Sequence, residues 1–211
     1  MRKASAEIHL ALRLRGLKTL QEIFYLLLKN KYFKPHFMTT DTINTTELFL
    51  SLDKTWTELV QMISSTSDEV INAVPFEGSW TAAQLVTHVT KSNNAIIQGL
   101  DMEGKLAERN PEDGVPNLKK IFLDFDTKFQ SPQFIVPENR NYDKHEVITV
   151  LRGSIDRLKD ARKKTNLIEI INLPVFGEIT KLELLHFVLY HTQRHNHQLE
   201  GIINALKRNR H

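Results

Sequence analysis

The sequence contains no cysteine among its 211 residues, which excludes a disulfide scaffold and any thiolate metal site. No stretch approaches the roughly 20 apolar residues that a membrane-spanning helix requires. Internal repeats and low-complexity runs are absent as well. The chain is long enough for one hydrophobic core of useful size, and we expect a cytoplasmic protein without a transmembrane segment.

Most of the chain lacks an excess of positive charge. Residues 1–37 carry eight Lys and Arg against two acids, a net charge of +6, whereas residues 38–211 carry 20 basic and 23 acidic side chains, a net charge of −3. The high isoelectric point therefore belongs to the first segment. A near-neutral body argues against a nucleic-acid-binding face, so we expect no nucleic-acid partner.

The basic N-terminal segment, residues 1–37, is interpreted as an extension of the domain that follows. Its apolar run "IFYLLL" is too short for a signal peptide and lacks a small-residue cleavage site. One interpretation is a basic amphipathic helix that lies on a membrane or a partner. The interpretation we favour is that synthesis starts at Met38, so that the first 37 positions are an over-extended gene model or a loose tail. Residues 38–211 then form the domain.

Apolar residues recur at helical spacing in four long segments. They cover about residues 45–64, 81–100, 143 onward and 180–207. Thr81 with Gln84, and Asp143 with Glu146, have the spacing of a capping box. The third helix is predicted to turn its apolar residues inward: Val147, Val150, Leu151, Ile155 and Leu158. A further short helix is predicted at "NLKKIFLDF".

The connections between these segments predict how the helices are arranged. No segment alternates convincingly with period two, so the fold class is all-α, and four helices of this length suit a four-helix bundle. About 15 residues join the first helix to the second and the third to the fourth, which suffices for antiparallel neighbours. About 40 residues separate the second from the third, enough for a long crossover along a helix of roughly 30 Å. The expected order is therefore up-down-down-up.

Four of the nine histidines fall within twelve positions near the C-terminus. His191 and His195 are four residues apart, so they lie one turn apart on one helix face and could reach a single metal ion. No glutamate follows His191, which excludes the H-E-x-x-H zinc protease pattern. His186 and His197 point away from this pair and are predicted to be solvated. Such a pair on its own is equally typical of surface or interfacial imidazoles.

A metal needs a third protein ligand, and two other histidines of the domain are candidates. His145 falls in the first turn of the third helix, where a solvated side chain is expected. His88 lies inside the second helix at the edge of its apolar face. By spacing alone, His88 is as readily a half-buried polar residue as a ligand.

The segments "VPFEGSWTAAQLVTHV" and "LHFVLYHTQRHNHQL", about 100 residues apart, resemble the DinB/YfiT-like superfamily. Members share a Trp-Ser/Thr start to helix two, a histidine inside that helix, and H-T-x-R-H-x-x-Q near the end of helix four. Here these features are Trp80-Thr81, His88, His191 to His195, and Gln198. The likeness covers roughly residues 45–205 and says nothing about residues 1–37.

The resemblance implies an up-down-down-up bundle with one divalent metal held by His88, His191 and His195, and it implies a homodimer. It also implies a metal-dependent enzyme that acts on a small molecule as a thiol transferase, with a low-molecular-weight thiol, or as a hydrolase. The alternative is a non-catalytic, small-molecule-binding or stress-related bundle with a structural metal. Three neutral imidazoles suit Zn, Ni, Fe or Mn and do not choose among them. No catalytic residue beyond the ligands is evident.

The residues beside the histidines have structural interpretations. Arg194 could bind an anionic substrate, but we favour a solvated or dimer-interface arginine. Gln198 is expected to hydrogen-bond within the bundle or behind a ligand. Trp80 is expected to anchor the core at the start of helix two, and Trp56 to lie in the core or at an interface.

Overall fold

The structure is a computed structural model that describes residues 45–208. The predictions for residues 1–37, and the start of the 38–211 domain, lie outside the described residues. The elements of the described part are, in chain order, α1 (Thr46–Ser65), α2 (Asp68–Ile71), α3 (Ala82–Asp101), β1 (Lys105–Leu106), α4 (Val115–Phe122), a 3-10 turn (Gln133–Ile135), α5 (Lys144–Lys164), β2 (Glu169–Leu173), β3 (Gly177–Thr180) and α6 (Lys181–Arg208). The four long helices α1, α3, α5 and α6 form the predicted four-helix bundle.

Local sequence signals set the starts of α3 and α5. Thr81 Oγ1 accepts a hydrogen bond from the backbone N–H of Gln84, and Gln84 Oε1 accepts one from the N–H of Thr81, which confirms the capping box. Asp143 caps α5 by accepting from the N–H of Glu146 at 2.8 Å. The Glu146 carboxylate instead lies 3.9 Å from the Arg140 guanidinium, so the predicted capping box at α5 has only its Asp143 half.

Helices α3 and α6 pack antiparallel. His88, in the second turn of α3, contacts His191 in the middle of α6. At the other end of α3, a Cβ added to Gly99 would lie 3.3 Å from Leu184, in the first turn of α6. Position 99 therefore needs a small residue because the two helices approach closely there.

Helix α5 runs parallel to α3 and antiparallel to α1. Gln84 in the first turn of α3 donates to the carbonyl of Glu138, shortly before α5, while Asn93 further along α3 donates to Ser154 in the middle of α5. Asp53 in the first half of α1 pairs with Arg162 in the last turn of α5. These directions give the predicted up-down-down-up order.

Helices α1 and α3 are antiparallel, but they lie across the bundle from each other: α1 packs mainly on α5 and α6. Their connection carries α2 and is long enough to cross the end of the bundle.

The core of the bundle is formed by one apolar stripe from each long helix. Trp56 is 2% exposed, which confirms its predicted place in the core. The prediction that Val150 points inward is wrong, because its side chain is 47% exposed. The buried stripe of α5 follows Val147, Leu151, Ser154 and Leu158, so position 150 falls on the solvent flank.

A small three-stranded antiparallel sheet, which the sequence did not predict, lies beside the bundle. Strands β2 and β3 form a hairpin within the connection from α5 to α6, and β1 from the crossover pairs with β2. Ile171 and Ile179 are paired across the hairpin and both are buried. Gly177 allows the turn through its φ of +66°. Strands of two to five residues are too short to give a clear period of two.

The long crossover between α3 and α5 contains β1, α4 and the 3-10 turn. Helix α4 corresponds to the predicted short helix and packs against α6. The later part of the crossover is fastened to α3, because Lys91 Nζ donates to the carbonyl of Val136 and to the carboxylate of Glu138. Among residues 45–208, no helix is long and apolar enough to cross a bilayer.

Candidate metal site and cavity

Three histidine rings from α3 and α6 meet at one point inside the bundle. His191 Nε2 lies 3.3 Å from His88 Nε2 and 3.0 Å from His195 Nε2. One ligand atom from each ring lies within 4.8 Å of those of the other two. The three side chains, which we call the histidine triad, are 2%, 6% and 7% exposed in the order His88, His191, His195. The antiparallel packing of α3 on α6 therefore brings residue 88 to the pair that sequence spacing had already placed on one face.

Hydrogen bonds on the far side of two rings fix where the protons are. His88 Nδ1 lies 3.0 Å from the carbonyl oxygen of Ile135, and His195 Nδ1 lies 3.0 Å from Oε1 of Gln198. Both oxygens only accept, so each Nδ1 carries the hydrogen and each Nε2 presents a lone pair. His191 Nε2 can donate to only one of its two neighbours, which leaves lone pairs converging on a shared point. This arrangement suits a cation.

Burial keeps the triad neutral. The pKa of His88 is lowered to about 4, mainly by desolvation; the hydrogen bond with Ile135 opposes this shift, and the positive charge of Lys91 adds to it. Desolvation is also the main reason that the pKa values of His191 and His195 lie well below the ordinary value, with the neighbouring imidazoles adding to the effect. Neutral imidazole is the form that binds metal.

The spacing of the triad matches a shared ion. Two nitrogens that each lie about 2.1 Å from one ion, at angles of about 90° to 109°, are about 3.0 to 3.4 Å apart. The two Nε2 separations at His191, 3.0 and 3.3 Å, fall in this range. The ligand atoms of His88 and His195 lie within 4.8 Å of each other, so a modest movement of these two rings would let the three histidines hold one divalent ion.

Aromatic side chains support the triad rings from several sides. The Trp80 ring lies 5.0 Å from that of His88, and the Phe187 ring is stacked on His191 at 4.9 Å. Phe122 meets His191 edge-on at 6.0 Å. Trp80 is only partly buried, so it is a wall of the site rather than the core anchor that was predicted.

A cavity of about 740 Å³ opens beside the triad, and all three histidines line it. Its walls come from α3 and the connection before it, from α6, from the turn between β2 and β3, and from the crossover between Phe122 and Val136. This volume lies within the range of about 300 to 1,000 Å³ that is usual for small-molecule sites. A group held by the triad could therefore be reached by a ligand in the cavity.

The crossover wall is the part of the site that the sequence did not reveal. Residues 122–136 are distant in sequence from both metal-ligand motifs, and their only signal was the aromatic run "IFLDFDTKF". Ile135 contributes a backbone carbonyl, which carries no sequence signature.

Arg194 is held by contacts within the chain. Its guanidinium donates to the carbonyl oxygens of Asp124, at 2.5 Å, and of Thr127, and it lies over the ring of Phe129. It joins α6 to the crossover wall, so the prediction of a freely solvated side chain is wrong, whereas a place at a dimer interface stays a prediction. The prediction for Gln198 is confirmed by its hydrogen bond with His195.

Residues 45–208 contain three further histidines, and one of them differs from its predicted exposure. His197 and His145 are exposed, as predicted. His186 is not solvated: its side chain is 14% exposed, and its Nε2 lies 3.7 Å from the carboxylate of Glu112. The loop before α4 covers this position, and nothing in the helical spacing of α6 indicates that loop.

Comparison with known proteins gives a family match and two solved structures. The family model of the DinB superfamily matches residues 51–199. YfiT from Bacillus subtilis, described as a probable metal-dependent hydrolase with an unusual four-helix bundle topology, is similar with a TM-score of 0.52 and 13% identity over 83% of this chain and 94% of that one. TT2238, a four-helix bundle protein, is similar with a TM-score of 0.48 and 17% identity over 74% of this chain and 97% of that one. No curated protein gives a significant match. At these identities the similarity to YfiT shows the fold alone.

Proposed function

The chain belongs to the DinB superfamily, and from this premise we propose that it is a divalent-metal enzyme that acts on a small molecule by thiol transfer or hydrolysis. His88, His191 and His195 hold the ion. The observation that carries the proposal is the meeting of three neutral imidazoles in the wall of a cavity large enough for a small molecule. The description of YfiT as a probable metal-dependent hydrolase supports this class of reaction.

The residues of the site have separate tasks in this proposal. When bound, a divalent ion lowers the pKa of a bound water or thiol and polarises an oxygen ligand. The carbonyl of Ile135 and the amide of Gln198 keep two of the rings in the tautomer that presents Nε2. Phe187 and Trp80 fix ring orientation and keep bulk water away from the triad.

A second function, a non-catalytic small-molecule-binding bundle with a structural metal, is favoured by one observation. Among the described residues, no aspartate or glutamate lines the cavity, so no carboxylate is in place as a general base. The cavity itself favours the enzyme, because a purely structural ion is normally enclosed by four protein ligands.

Metal analysis tests the ligand set. The purified protein should contain about one divalent ion per chain, and His191→Ala should lower this content sharply, since two imidazoles hold an ion much less tightly than three. His145→Ala is the matched control, because it removes an exposed histidine of α5. Equal metal content in the two variants would reject the assignment.

Turnover distinguishes the two functions. Pairs of a low-molecular-weight thiol with an electrophile, and a panel of hydrolysable esters and amides, are tested on metal-loaded and chelator-treated protein. Metal-dependent turnover that is lost in His191→Ala supports the enzyme. A bound ion with no turnover across the panel favours the binding protein. The homodimer, the low-molecular-weight thiol, the cytoplasmic location and the absence of a nucleic-acid partner stay predictions.

A further inference from the structure

The inner wall of the cavity is aromatic. Phe122 and Phe187 meet edge to face with centroids 5.0 Å apart, and Phe176 packs on Phe187 at 4.8 Å. Phe187 is in turn stacked on His191, so this cluster of three phenylalanines begins at the triad. All three rings line the cavity. These three rings are only 1% to 6% exposed, so they form the floor of the cavity, and an apolar ring of a ligand would gain further aromatic contacts from the more exposed rings around them.

The outer wall exposes further aromatic surface. Phe76 and Phe134 are 60% and 61% exposed, and both line the same cavity. Large apolar side chains that stay exposed around a concave site are typical of ligand-binding surfaces. Most of the wall therefore favours a ligand with an apolar body rather than a sugar or another strongly hydrated molecule.

The charge of the wall has one sign. Among residues 45–208, the charged side chains that line the cavity are Lys128 and Arg194, and no carboxylate lines it. The Arg194 guanidinium donates its hydrogen bonds to neutral carbonyls, and the nearby Asp124 carboxylate, which does not line the cavity, offsets part of its positive charge. A cationic ligand would meet these two side chains with no carboxylate in the cavity lining, whereas an anion would be attracted by both.

We propose that the substrate of this site is an anion with an apolar, ring-bearing body. The ring packs in the cavity between the aromatic floor and the exposed rings of Phe76 and Phe134, and the negative group faces the cations of the cavity. This inference rests on the proposed function, because it names the substrate class of the same site.

Three probes that separate ring from charge test the inference by calorimetric titration. They are 4-phenylbutanoate, 4-phenylbutylamine, which reverses the charge, and butanoate, which lacks the ring. We expect 4-phenylbutanoate to bind at least about tenfold more tightly than butanoate, because burial of a phenyl ring is worth this much or more, and more tightly than the amine. Equal or tighter binding of the amine, or of butanoate, overturns the proposal. So does an absence of binding by all three up to about 10 mM.

A matched pair of variants tests the charge. Lys128→Gln should weaken the binding of 4-phenylbutanoate about two- to fivefold, as expected for an exposed ion pair, whereas Lys119→Gln, on the exposed face of α4, should not. Equal affinities in the two variants overturn the role of Lys128. The metal content of the same samples is measured separately. A protein without metal contradicts the proposed function, while the order of the three probes still tests this inference because the aromatic wall and the two cations do not depend on the ion.

Discussion

His195 Nδ1 lies 3.0 Å from Oε1 of Gln198, three residues further along α6. The amide oxygen accepts the ring hydrogen and so leaves His195 Nε2 free to bind a metal. Loss of such a partner typically lowers metal affinity about 10- to 100-fold. We therefore expect Gln198→Ala to weaken metal binding by this factor, measured by competition with a chromophoric chelator.

The control for Gln198 is Gln61→Ala, which removes an exposed amide from α1. Gln198→Glu should restore the affinity because a carboxylate accepts the same hydrogen. If Gln198→Ala binds metal as tightly as Gln61→Ala, the hydrogen bond has no influence on the ligand.

Metal affinity should change little with pH in the neutral range. Three histidines with the ordinary pKa of about 6.5 would lose affinity about 1,000-fold between pH 7.5 and 5.5, since each must lose a proton to bind. Burial lowers the pKa of His88 to about 4 and places those of its partners well below the ordinary value. The triad is already neutral at pH 5.5, so we expect less than about a tenfold loss there and a steep loss only on further acidification.

The lowered pKa values of the triad also predict how the stability of the metal-free protein depends on pH. Between pH 6.5 and 4 the histidines of the unfolded chain bind protons, whereas those of the folded triad do not. The free energy of unfolding should therefore fall as the pH falls through this window. Denaturant titrations at pH 7.5, 5.5 and 4.5 measure it. A free energy of unfolding that rises on acidification across this window would contradict the burial of neutral imidazoles.

The sequence predicted what local spacing determines. His191 and His195 share a face because they are four residues apart, and Thr81 caps α3 because Gln84 follows it. The position of His88 beside this pair depends on the direction in which α3 packs on α6. Only the family resemblance indicated that His88 is a ligand. The crossover wall was not predictable, because the contacts of Ile135 are made by backbone atoms across 47 positions of the chain.

Arg194 should hold the crossover wall, residues 122–136, in its folded conformation. Its guanidinium donates to the carbonyls of Asp124 and Thr127, so Arg194→Ala leaves these groups without their donor. We expect faster amide hydrogen exchange in residues 123–129 and a loss of about 1–3 kcal/mol in the free energy of unfolding. Metal content should stay unchanged, since the triad keeps its own hydrogen bonds.

Arg157→Ala is the matched control for Arg194, because it removes an arginine whose hydrogen bond, to Asn94, is exposed. Exchange in residues 123–129 that is the same in both variants would show that Arg194 does not hold the wall.

Glu183 carries a buried carboxylate that the sequence did not single out. Its carboxylate is 2% exposed and accepts hydrogen bonds from both terminal nitrogens of Arg109, from the N–H of Gly114 and from the N–H of Thr180. It thus joins the start of α6 to the part of the crossover that precedes α4. Arg109→Ala leaves this carboxylate buried without its cation, which should cost about 3–5 kcal/mol.

Gly114→Ala tests the same contact by a different route, since a Cβ there would lie 2.7 Å from Glu183 Oε1 and force the carboxylate away. The control is Glu178→Ala, an exposed carboxylate of β3. Denaturant titration measures all three variants. Because loss of the cation leaves an unpaired buried charge, Arg109→Ala should destabilise the protein far more than Glu178→Ala. Similar free energies of unfolding for these two would mean that water reaches Glu183.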